Sequence, residues 1–421
     1  MVSPFDSSLG DQSTGQPKIL EGVRVLDMSR VLAGPWAAQL LGDFGADVVK
    51  LERPLIGDDS RNWEPSFRAD SDSSRRESAY FCSANRGKRS VTLDFTTNEG
   101  AQIARELVKT ADVLIENYKV GTLSRYGLGY EEMSALNPRL IYVSVTGFGQ
   151  TGPYRHRAGY DTIIQAIGGM MSITGERDGL PGAGPQRAGL PVIDLLTGVY
   201  AALGILCALR HRDNTGKGQH LDLALLDVQV SVLSYLGMNY LASGEIPKRT
   251  GVANPVTYPS GTFSCADGDL VLLTGNDTQF ARFCSLLGLP DLAVDQRFSS
   301  SAQRVRNRDT LEALISPQLL KYSAAHWMKV MEEIGVPCAP INDFAGVMAD
   351  PQVRSRGIIE SVQHAKLGEI PILGNPIRMS DSPMHYDIPP PVLGAHTDDI
   401  LRREVGLSDT QLEKLRALGV I

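Results

Sequence analysis

Short apolar runs alternate with helical patterns along the first part of the chain. Strand-like runs at Gly22–Met28 and Ala46–Leu51 flank a helical pattern at Pro35–Phe44, which has proline in its first turn. The alternation continues with a helix at Glu99–Thr110, a strand at Val113–Glu116, a helix at Glu131–Leu136 and a strand at Leu140–Val145. Because parallel strands are joined by helices that cross over the sheet, this pattern predicts an α/β fold with a parallel, doubly wound sheet.

A longer apolar run at Leu195–Leu209 predicts a buried helix, since it is shorter than a bilayer span and ends at the basic segment Arg210–Arg212. Asp194 stands at the head of this run, after the glycine-dense segment Gly168–Gly175. Two roles are open for an acid in that place. It is either an N-cap, for which Asp is a favoured residue, or a nucleophilic carboxylate surrounded by small residues.

The second half of the chain changes character after a further predicted helix at Leu225–Ala242. Pro, Asn and turn residues dominate Gly251–Pro259. The segment Gly261–Ser323 is typical of a smaller α+β unit, with a strand at Leu270–Leu273 and a helix at Asp277–Leu287. We therefore expect a disordered leader at 1–18, a large domain from 19–225, a linker at 226–250, a small domain at 251–330, and a linker with a return to the large domain at 331–421.

The composition is that of a folded enzyme with two domains. The 421 residues exceed the usual size of a single core, and 42% of them are hydrophobic. A net charge of -7 provides no basic surface for long-range attraction, so neither nucleic acid nor membrane is expected as a partner. The 5 cysteines form no C-x-x-C pair, and the polar N-terminus lacks the apolar core of a secretory peptide, so a reducing, cytoplasmic location is expected.

The absence of several motifs argues against whole reaction classes. The segment Gly147–Gly152 spells G-x-G-x-x-G, but Pro153–His156 follows where a dinucleotide-binding helix would begin. The sequence contains no Walker motif, no H-E-x-x-H and no G-x-S-x-G. No histidine lies at ligand spacing from another His or a Cys, so no metal site is predicted.

Basic residues recur near the ends of the predicted strands, where open α/β sheets bind their ligands. They are Lys50, Arg53, Arg86, Lys88, Arg89, Lys119 and Arg125. Their distribution suits an anionic, phosphate-bearing ligand, and the alternative is a solvated basic rim. Three aromatic residues, Trp63, Tyr80 and Tyr160, either line an acyl pocket or pack in the core.

A series of short motifs then follows in order along the chain: Leu20–Asp27, Arg30–Pro35, Gly45–Pro54, Glu116–Tyr118, Asn137–Tyr142, Gly216–Gln219 and Leu393–Thr397. Together they resemble the class III CoA-transferase family, also known as the CaiB/BaiF or formyl-CoA transferase family. The similarity extends from about Ile19 to the C-terminus. Within the family, Arg157–Asp161 and Ile173–Gly175 are most similar to the dicarboxylate CoA-transferases, which include succinate–hydroxymethylglutarate CoA-transferase.

The resemblance implies a large domain of two open Rossmann-like halves, a smaller α+β domain, and a homodimer whose chains interlock as linked rings. It also implies that Asp194 is the nucleophile of an acyl transfer through aspartyl anhydride and aspartyl-CoA thioester intermediates. The substrates would be an acyl-CoA, such as succinyl-CoA or another dicarboxylyl-CoA, and a free carboxylic acid, in particular a dicarboxylic one. Coenzyme A thioesters enter as substrates, and neither a permanently bound cofactor nor a metal is implied.

Matching positions carry the binding residues over to this sequence. The resemblance implies coenzyme A contacts at Val31, Leu32, Arg53, Leu93, Phe95, Asn117, Tyr118 and Arg125. Tyr80 and Tyr160 are the candidates for the acyl substrates. A dicarboxylate also needs a cation, for which Arg30 and Arg249 are candidates because guanidinium binds carboxylate bidentately.

Two other functions stay open on the sequence alone. Racemase-type proton transfer on a 2-methylacyl-CoA uses a His–Asp pair in this family, and here Tyr160 stands where the histidine is expected. A non-catalytic acyl-CoA-binding protein would keep the basic residues without needing Asp194. The glycine run that covers the site in the formyl-CoA branch reduces in this chain to Thr274–Asn276.

Overall fold

The computed structural model describes residues 18–69, 72–384 and 386–421, which form two compact units. The first unit contains residues 18–168, 189–234 and 356–421, and the second contains residues 169–188 and 235–355. The expected disordered leader at 1–18 lies outside the described residues except for Lys18.

The strands are short and fall mostly in the first unit. In chain order they are β1 Arg24–Asp27, β2 Asp47–Glu52, β3 Ser66–Ala69, β4 Asp72–Ser78, β5 Lys88–Thr92, β6 Val113–Glu116, β7 Ile141–Thr146, β8 Gln219–Ala224, β9 Ser260–Ser264, β10 Asp269–Leu273, β11 Cys338–Pro340, β12 Ile359–His364 and β13 Gly368–Leu373.

The helices range from one turn to 24 residues. They are α1 Ala33–Asp43, α2 Ala79–Ser83, α3 Asn98–Val108, α4 Tyr130–Leu136, α5 Asp161–Ile167, α6 Met170–Ile173, α7 Val192–Thr215, α8 Leu225–Ser231, α9 Ser234–Ser243, α10 Asp277–Leu286, α11 Ser301–Arg306, α12 Arg308–Leu319, α13 Ala324–Glu333, α14 Phe344–Ala349, α15 Pro351–Ser355, α16 Thr397–Ile400 and α17 Asp409–Ala417. Short 3₁₀ turns occur at Asp59–Asn62, Leu123–Tyr126, Pro290–Ala293 and Gln296–Phe298, and a π turn occurs at Leu401–Val405.

A six-stranded sheet with the order β5-β2-β1-β6-β7-β8 forms the centre of the first unit. Every neighbouring pair in it is parallel, which confirms the predicted parallel sheet. The apolar residues of β6 are buried because helices cover both faces of such a sheet. The strand order runs outward from β1 on one side and from β6 on the other. The topological switch therefore lies between β1 and β6, at the edge where doubly wound sheets bind ligands.

The predicted helix at Leu225–Ala242 is two helices in the structure. The first ends at Ser231 and the second begins at Ser234, whose φ of 52° lies in the left-handed region. A residue in that conformation does not continue a right-handed helix, so the apolar pattern runs across a break.

The second unit is a small α+β arrangement around an antiparallel sheet of order β11-β10-β9. Its apolar core includes Phe280, Phe283, Ile315 and Trp327, and the indole N–H of Trp327 donates to the carbonyl of Leu319 at 2.7 Å. Because these residues pack into an apolar core of their own, they form a unit distinct from the first.

The extent of the second unit differs from the expected small domain at 251–330. It continues to Ser355, because β11 pairs with β10 and so belongs to the same sheet. It also takes in residues 169–188, which the sequence analysis placed in the large domain. Arg177 on that segment pairs with Asp309 at 2.9 Å, a contact between residues far apart in sequence that local patterns do not reveal.

Among the described residues, α7 is the one helix that is long and apolar enough to cross a membrane, judged by length and composition alone. One of its faces packs against α1, β7 and β8, with Ile193, Ala201 and Ile205 buried. Val199 and Leu203 on the opposite face are exposed. The prediction of a buried helix is thus correct for one face of α7.

The crossing of α1 and α7 depends on the absence of a side chain at Gly198. A Cβ at this position would lie 2.7 Å from the carbonyl oxygen of Ala33 and 2.9 Å from a ring carbon of Trp36. The backbone of α1 offers no flexible atom that could move aside. The two helices therefore approach each other closely only while residue 198 is glycine.

We expect Gly198→Ala to lower the free energy of unfolding by about 1–3 kcal/mol, because the added methyl group overpacks the crossing. Gly204→Ala is the matched control on the same helix, since its Cβ would meet its nearest atom, a methyl of Leu221, at 3.5 Å. This control is expected to gain up to about 1 kcal/mol from helix propensity. Urea unfolding measures both, and equal stabilities of the two variants would contradict the close crossing.

Candidate active site

Two loops meet at the topological switch, one after β1 and one after β6. The side chain of Asn117, the residue after β6, forms two hydrogen bonds with the backbone of Arg30 in the loop after β1, called the β1 loop below. Its Oδ1 accepts the backbone N–H of Arg30 at 2.8 Å, and its Nδ2 donates to the carbonyl of Arg30 at 2.7 Å. The two loops therefore have a fixed relative position.

The β1 loop continues through Val31, whose φ of 70° is unusual for a β-branched residue. The backbone N–H of Val31 donates to both carboxylate oxygens of Asp58 at 3.2 Å. Lys50 in turn holds Asp58 at 3.1 Å and donates to the carbonyl of Ser29 at 2.8 Å. These contacts hold the loop in a conformation that its sequence alone does not favour.

Asp58 and Lys50 are part of a buried cluster of opposite charges that also contains Asp27 and Lys88. Lys88 pairs with Asp27 at 2.8 Å, and the side chains of all four are buried. Burial acts to raise the pKa of Asp58, but the charge of Lys50 and hydrogen bonds from Ser60 outweigh it and lower that pKa to about 2. Burial lowers the pKa of Lys88 to about 8, against the attraction of Asp27.

Several of the basic residues near the strand ends are engaged in ion pairs, which corrects their interpretation as ligand contacts, whereas Lys119 lines the pocket described below. Lys50 and Lys88 are inaccessible, and Arg86 is buried in an ion pair with Asp43 at 2.6 Å. Arg89 pairs with Asp47 at 2.6 Å. A sequence shows that a cation follows a strand, but it does not show that a carboxylate from another strand already neutralises it.

A pocket of about 200 Å³ opens beside the two loops. Seven of the predicted site residues line it: Arg30, Val31, Leu32, Asn117, Tyr118, Tyr160 and Asp194. Arg155 and Arg157 line the same pocket and were not predicted. The structure thus brings the predicted nucleophile together with four of the predicted coenzyme A contacts, within the first unit.

Asp194 is the third residue of α7, so it lies inside the first turn and is not the N-cap. Asp161 takes the capping role instead. One of its carboxylate oxygens accepts the backbone N–H of Ile193 at 2.8 Å and that of Asp194 at 3.2 Å. The cap interpretation of Asp194 is therefore wrong, and two N–H groups of this first turn, those of Ile193 and Asp194, are already bonded to Asp161.

The Asp194 carboxyl faces an environment that disfavours its charge. Burial and then the negative charge of Asp161 raise the pKa of Asp194 to about 7. Burial and then the charge of Asp194 raise the pKa of Tyr80 to about 12. Tyr80 is not among the described residues that line the pocket, and Trp63 packs edge-on against it with ring centroids 4.8 Å apart.

The remaining predicted residues lie outside the pocket lining. Arg53 pairs with Asp59 at 2.7 Å, and Arg125 is exposed on the turn after β6. Leu93 and Phe95 are buried in the core of the first unit. Arg249 belongs to the second unit, where it pairs with Asp178 and donates to the carbonyl of Glu176 at 3.3 Å.

The chain is similar to known proteins along most of its length. A sequence model of CoA-transferase family III matches residues 20–397. The chain is 46% identical over 382 residues to the succinate–glutarate CoA-transferase of Agrobacterium fabrum, covering 91% of this chain and 94% of that protein. It is 40% identical over 415 residues to the succinyl-CoA:glutarate CoA-transferase of Homo sapiens, covering 97% of this chain and 92% of that protein. A crystal structure of a CaiB/BaiF family protein from Brucella suis has a TM-score of 0.82 and 45% identity, covering 92% of this chain and 100% of that one.

The buried cluster generates a prediction about stability. We expect Lys50→Met to lower the free energy of unfolding by about 3–5 kcal/mol, because Asp27 and Asp58 would be left buried without this cation. Lys109→Met is the matched control, since Lys109 pairs with Glu106 on the surface. The control is expected to change stability by less than about 1 kcal/mol. Similar urea-unfolding energies for the two variants would show that the cluster does not hold the β1 loop.

Proposed function

The chain belongs to CoA-transferase family III, and we propose that it moves coenzyme A from succinyl-CoA, or another dicarboxylyl-CoA, to a free dicarboxylic acid. The observation that carries this proposal is the Asp194 carboxyl, which lines one pocket with the coenzyme A candidates Val31, Leu32, Asn117 and Tyr118. The names of the similar proteins, which specify succinate and glutarate, support the choice of acids.

In the first half of the proposed reaction, a carboxylate oxygen of Asp194 attacks the thioester carbonyl of the donor. The C–S bond breaks, which gives an aspartyl–acyl anhydride and the coenzyme A thiolate. The thiolate then attacks the aspartyl carbonyl of the anhydride. This step forms an aspartyl-CoA thioester and releases the donor acid as its carboxylate.

The second half repeats these bond changes in reverse with a new acid. The acceptor carboxylate attacks the aspartyl-CoA carbonyl, which forms a second anhydride and frees the thiolate. The thiolate attacks the acyl carbonyl of the acceptor, and Asp194 leaves as a carboxylate. Because one thioester is exchanged for another, the sequence needs neither ATP nor a net proton transfer, and CoA thioesters serve as substrates.

Tyr80 is proposed to assist the acyl transfers as a hydrogen-bond donor. Its high pKa keeps the phenol protonated at neutral pH, and its pKa responds to the charge of Asp194. A neutral donor near the nucleophile suits the stabilisation of an oxyanion that forms on the attacked carbonyl.

The second carboxylate of a dicarboxylic substrate needs a cation in the pocket, and we propose Arg157 for this role. Arg30 and Arg249 pair with Asp59 and Asp178, so their charges are already engaged. The guanidinium of Arg157 instead lies 3.9 Å over the ring of Tyr154, beside the pocket that Asp194 lines. Stacking orients the guanidinium and leaves its edge available for a bidentate carboxylate.

We also propose that the protein acts as a homodimer of interlocked chains. An exposed apolar row on α7 contains Val199 and Leu203, which are one helical turn apart. Ile163 and Ile167 form a similar exposed pair on α5 in the same unit. Apolar surface of this kind is typical of a permanent interface with a second copy of the chain.

Asp194→Ala is expected to reduce CoA exchange by about 10⁴-fold or more while leaving the fold intact, because no other group replaces the covalent intermediate. Mass spectrometry of CoA thioesters measures this after succinyl-CoA is mixed with a panel of mono- and dicarboxylates, glutarate among them, without ATP. Asp213→Ala, at the exposed far end of α7, is the control and should retain full exchange. Exchange at the wild-type rate by Asp194→Ala would rule out the aspartyl mechanism. Solvent deuterium incorporation into a 2-methylacyl-CoA without exchange would instead indicate a racemase-type reaction.

Arg157→Gln is expected to reduce kcat/KM for a dicarboxylate acceptor by about tenfold or more, since it removes a charge-assisted contact to the second carboxylate. The kcat/KM for a monocarboxylate acceptor of similar length should change little. Arg249→Gln is the comparison variant, measured with the same two acceptors. A selective loss in Arg249→Gln rather than in Arg157→Gln would transfer the carboxylate site to Arg249.

A further inference from the structure

We infer that Asp161 is a positioning residue for the acyl transfer, which holds the first turn of α7 so that Asp194 faces the pocket as a basic carboxylate. This inference rests on the proposed function of Asp194.

The contacts of Asp161 go beyond those of an ordinary N-cap residue. The residue is buried, and its capping oxygen accepts two successive N–H groups of α7, including that of the nucleophile itself. Its other oxygen accepts the side-chain amide of Gln165, which is also buried. Asp161 is thus fixed on both sides, and it holds the backbone of Asp194 from a point 33 residues earlier in the chain.

The contact between Asp161 and the first turn of α7 also determines how far the N–H groups of this helix stabilise the Asp194 carboxylate. Free N–H groups at a helix N-terminus stabilise a nearby anion. Here two such groups bond to Asp161, which adds a negative charge of its own. Burial and then the negative charge of Asp161 make the Asp194 carboxylate more basic than an exposed aspartate, and a more basic carboxylate attacks a carbonyl faster once it is ionised.

Other ionisable groups face the same space and must be considered together with Asp161. Tyr80 lies close enough to respond to both Asp194 and Asp161. The groups that line the pocket with Asp194 are Arg30, Asp59, Tyr118, Lys119, Arg155, Arg157 and Tyr160. Among these charges and those on α5 and α7, the negative charge of Asp161 is the one that raises the pKa of Asp194 in addition to burial.

The test is the pH dependence of single-turnover CoA exchange. Asp194 attacks as a carboxylate, so the wild-type rate should rise with pH through a midpoint near the pKa of about 7. Asp161→Asn keeps an oxygen that caps the helix and removes the charge. We expect its midpoint to fall by roughly half a pH unit, so that the ratio of rates at about pH 6 and about pH 8 rises roughly two- to threefold.

Asp161→Ser provides a second neutral variant in case Asp161→Asn does not fold, and the loss of the charge should move the midpoint in the same direction. Asp213→Asn is the matched control, because it removes the same charge from the exposed end of α7 and should leave the midpoint unchanged. A purely structural role for Asp161 would lower the rate or the stability without moving the midpoint.

The outcomes distinguish the role of Asp161 from the proposed function of the protein. Exchange by the wild-type protein together with a lowered midpoint in either Asp161 variant supports the inference. Wild-type exchange with an unmoved or raised midpoint in the folded variants overturns the role of Asp161 and leaves the proposed function standing. No exchange by the wild-type protein with any acid overturns both.

Discussion

The conformation of the β1 loop depends on the buried charge of Lys50. Its amine holds Asp58 and the carbonyl of Ser29, and Asp58 in turn holds the strained backbone of Val31. Two charges removed from water at this depth cost several kcal/mol, and they are tolerated because each has an opposite charge and further hydrogen bonds. The result is a loop whose conformation is fixed by contacts within the protein. Such preorganisation would lower the conformational entropy that the loop itself loses on binding the proposed thioester substrate.

Asp58 and Asp194 show how one fold gives two carboxylates opposite behaviour. Asp58 has a lysine beside it, and its pKa lies near 2. Asp194 has another aspartate beside it, and its pKa lies near 7. Burial acts to raise both pKa values. At Asp58 the charge of Lys50 and the hydrogen bonds from Ser60 outweigh it, whereas at Asp194 the charge of Asp161 adds to it. The first carboxylate is a structural anion, whereas the second changes its charge state near neutral pH.

The sequence predicted the positions of the strands and helices better than it predicted the contacts between them. The strands at Val113–Glu116 and Ile141–Thr146 fall where apolar runs indicated them, because a covered parallel strand must be apolar along its length. Helix α7 begins at Val192 rather than Leu195, and this small difference moves Asp194 from the cap into the first turn. The apolar run is interrupted by Asp194, so the uninterrupted stretch from Leu195 does not mark the true start of the helix at Val192.

Contacts between distant segments account for most of what the sequence left open. Asp161 and Asp194 are 33 positions apart, and Lys88 meets Asp27 across 61 positions. No local spacing rule brings such pairs together, since they arise only when strands and helices take their places in the sheet. The resemblance to a family indicated a candidate nucleophile and several residues that line the pocket with it, but it gave no reason for Asp161. That reason comes from the hydrogen bonds at the start of α7.

The same burial that raises the pKa of Asp194 also serves the proposed intermediates. An aspartyl anhydride reacts readily with water, so a transferase that formed it in an open cleft would act as a hydrolase. Partial burial of the carboxylate limits its contact with water at the expense of ionisation, and a pKa near 7 is a moderate cost, because about half of the molecules still carry the charge at neutral pH. A fully exposed aspartate would be ionised throughout but would be a weaker nucleophile beside abundant water. The position of Asp194, partly buried and held by Asp161, meets both demands.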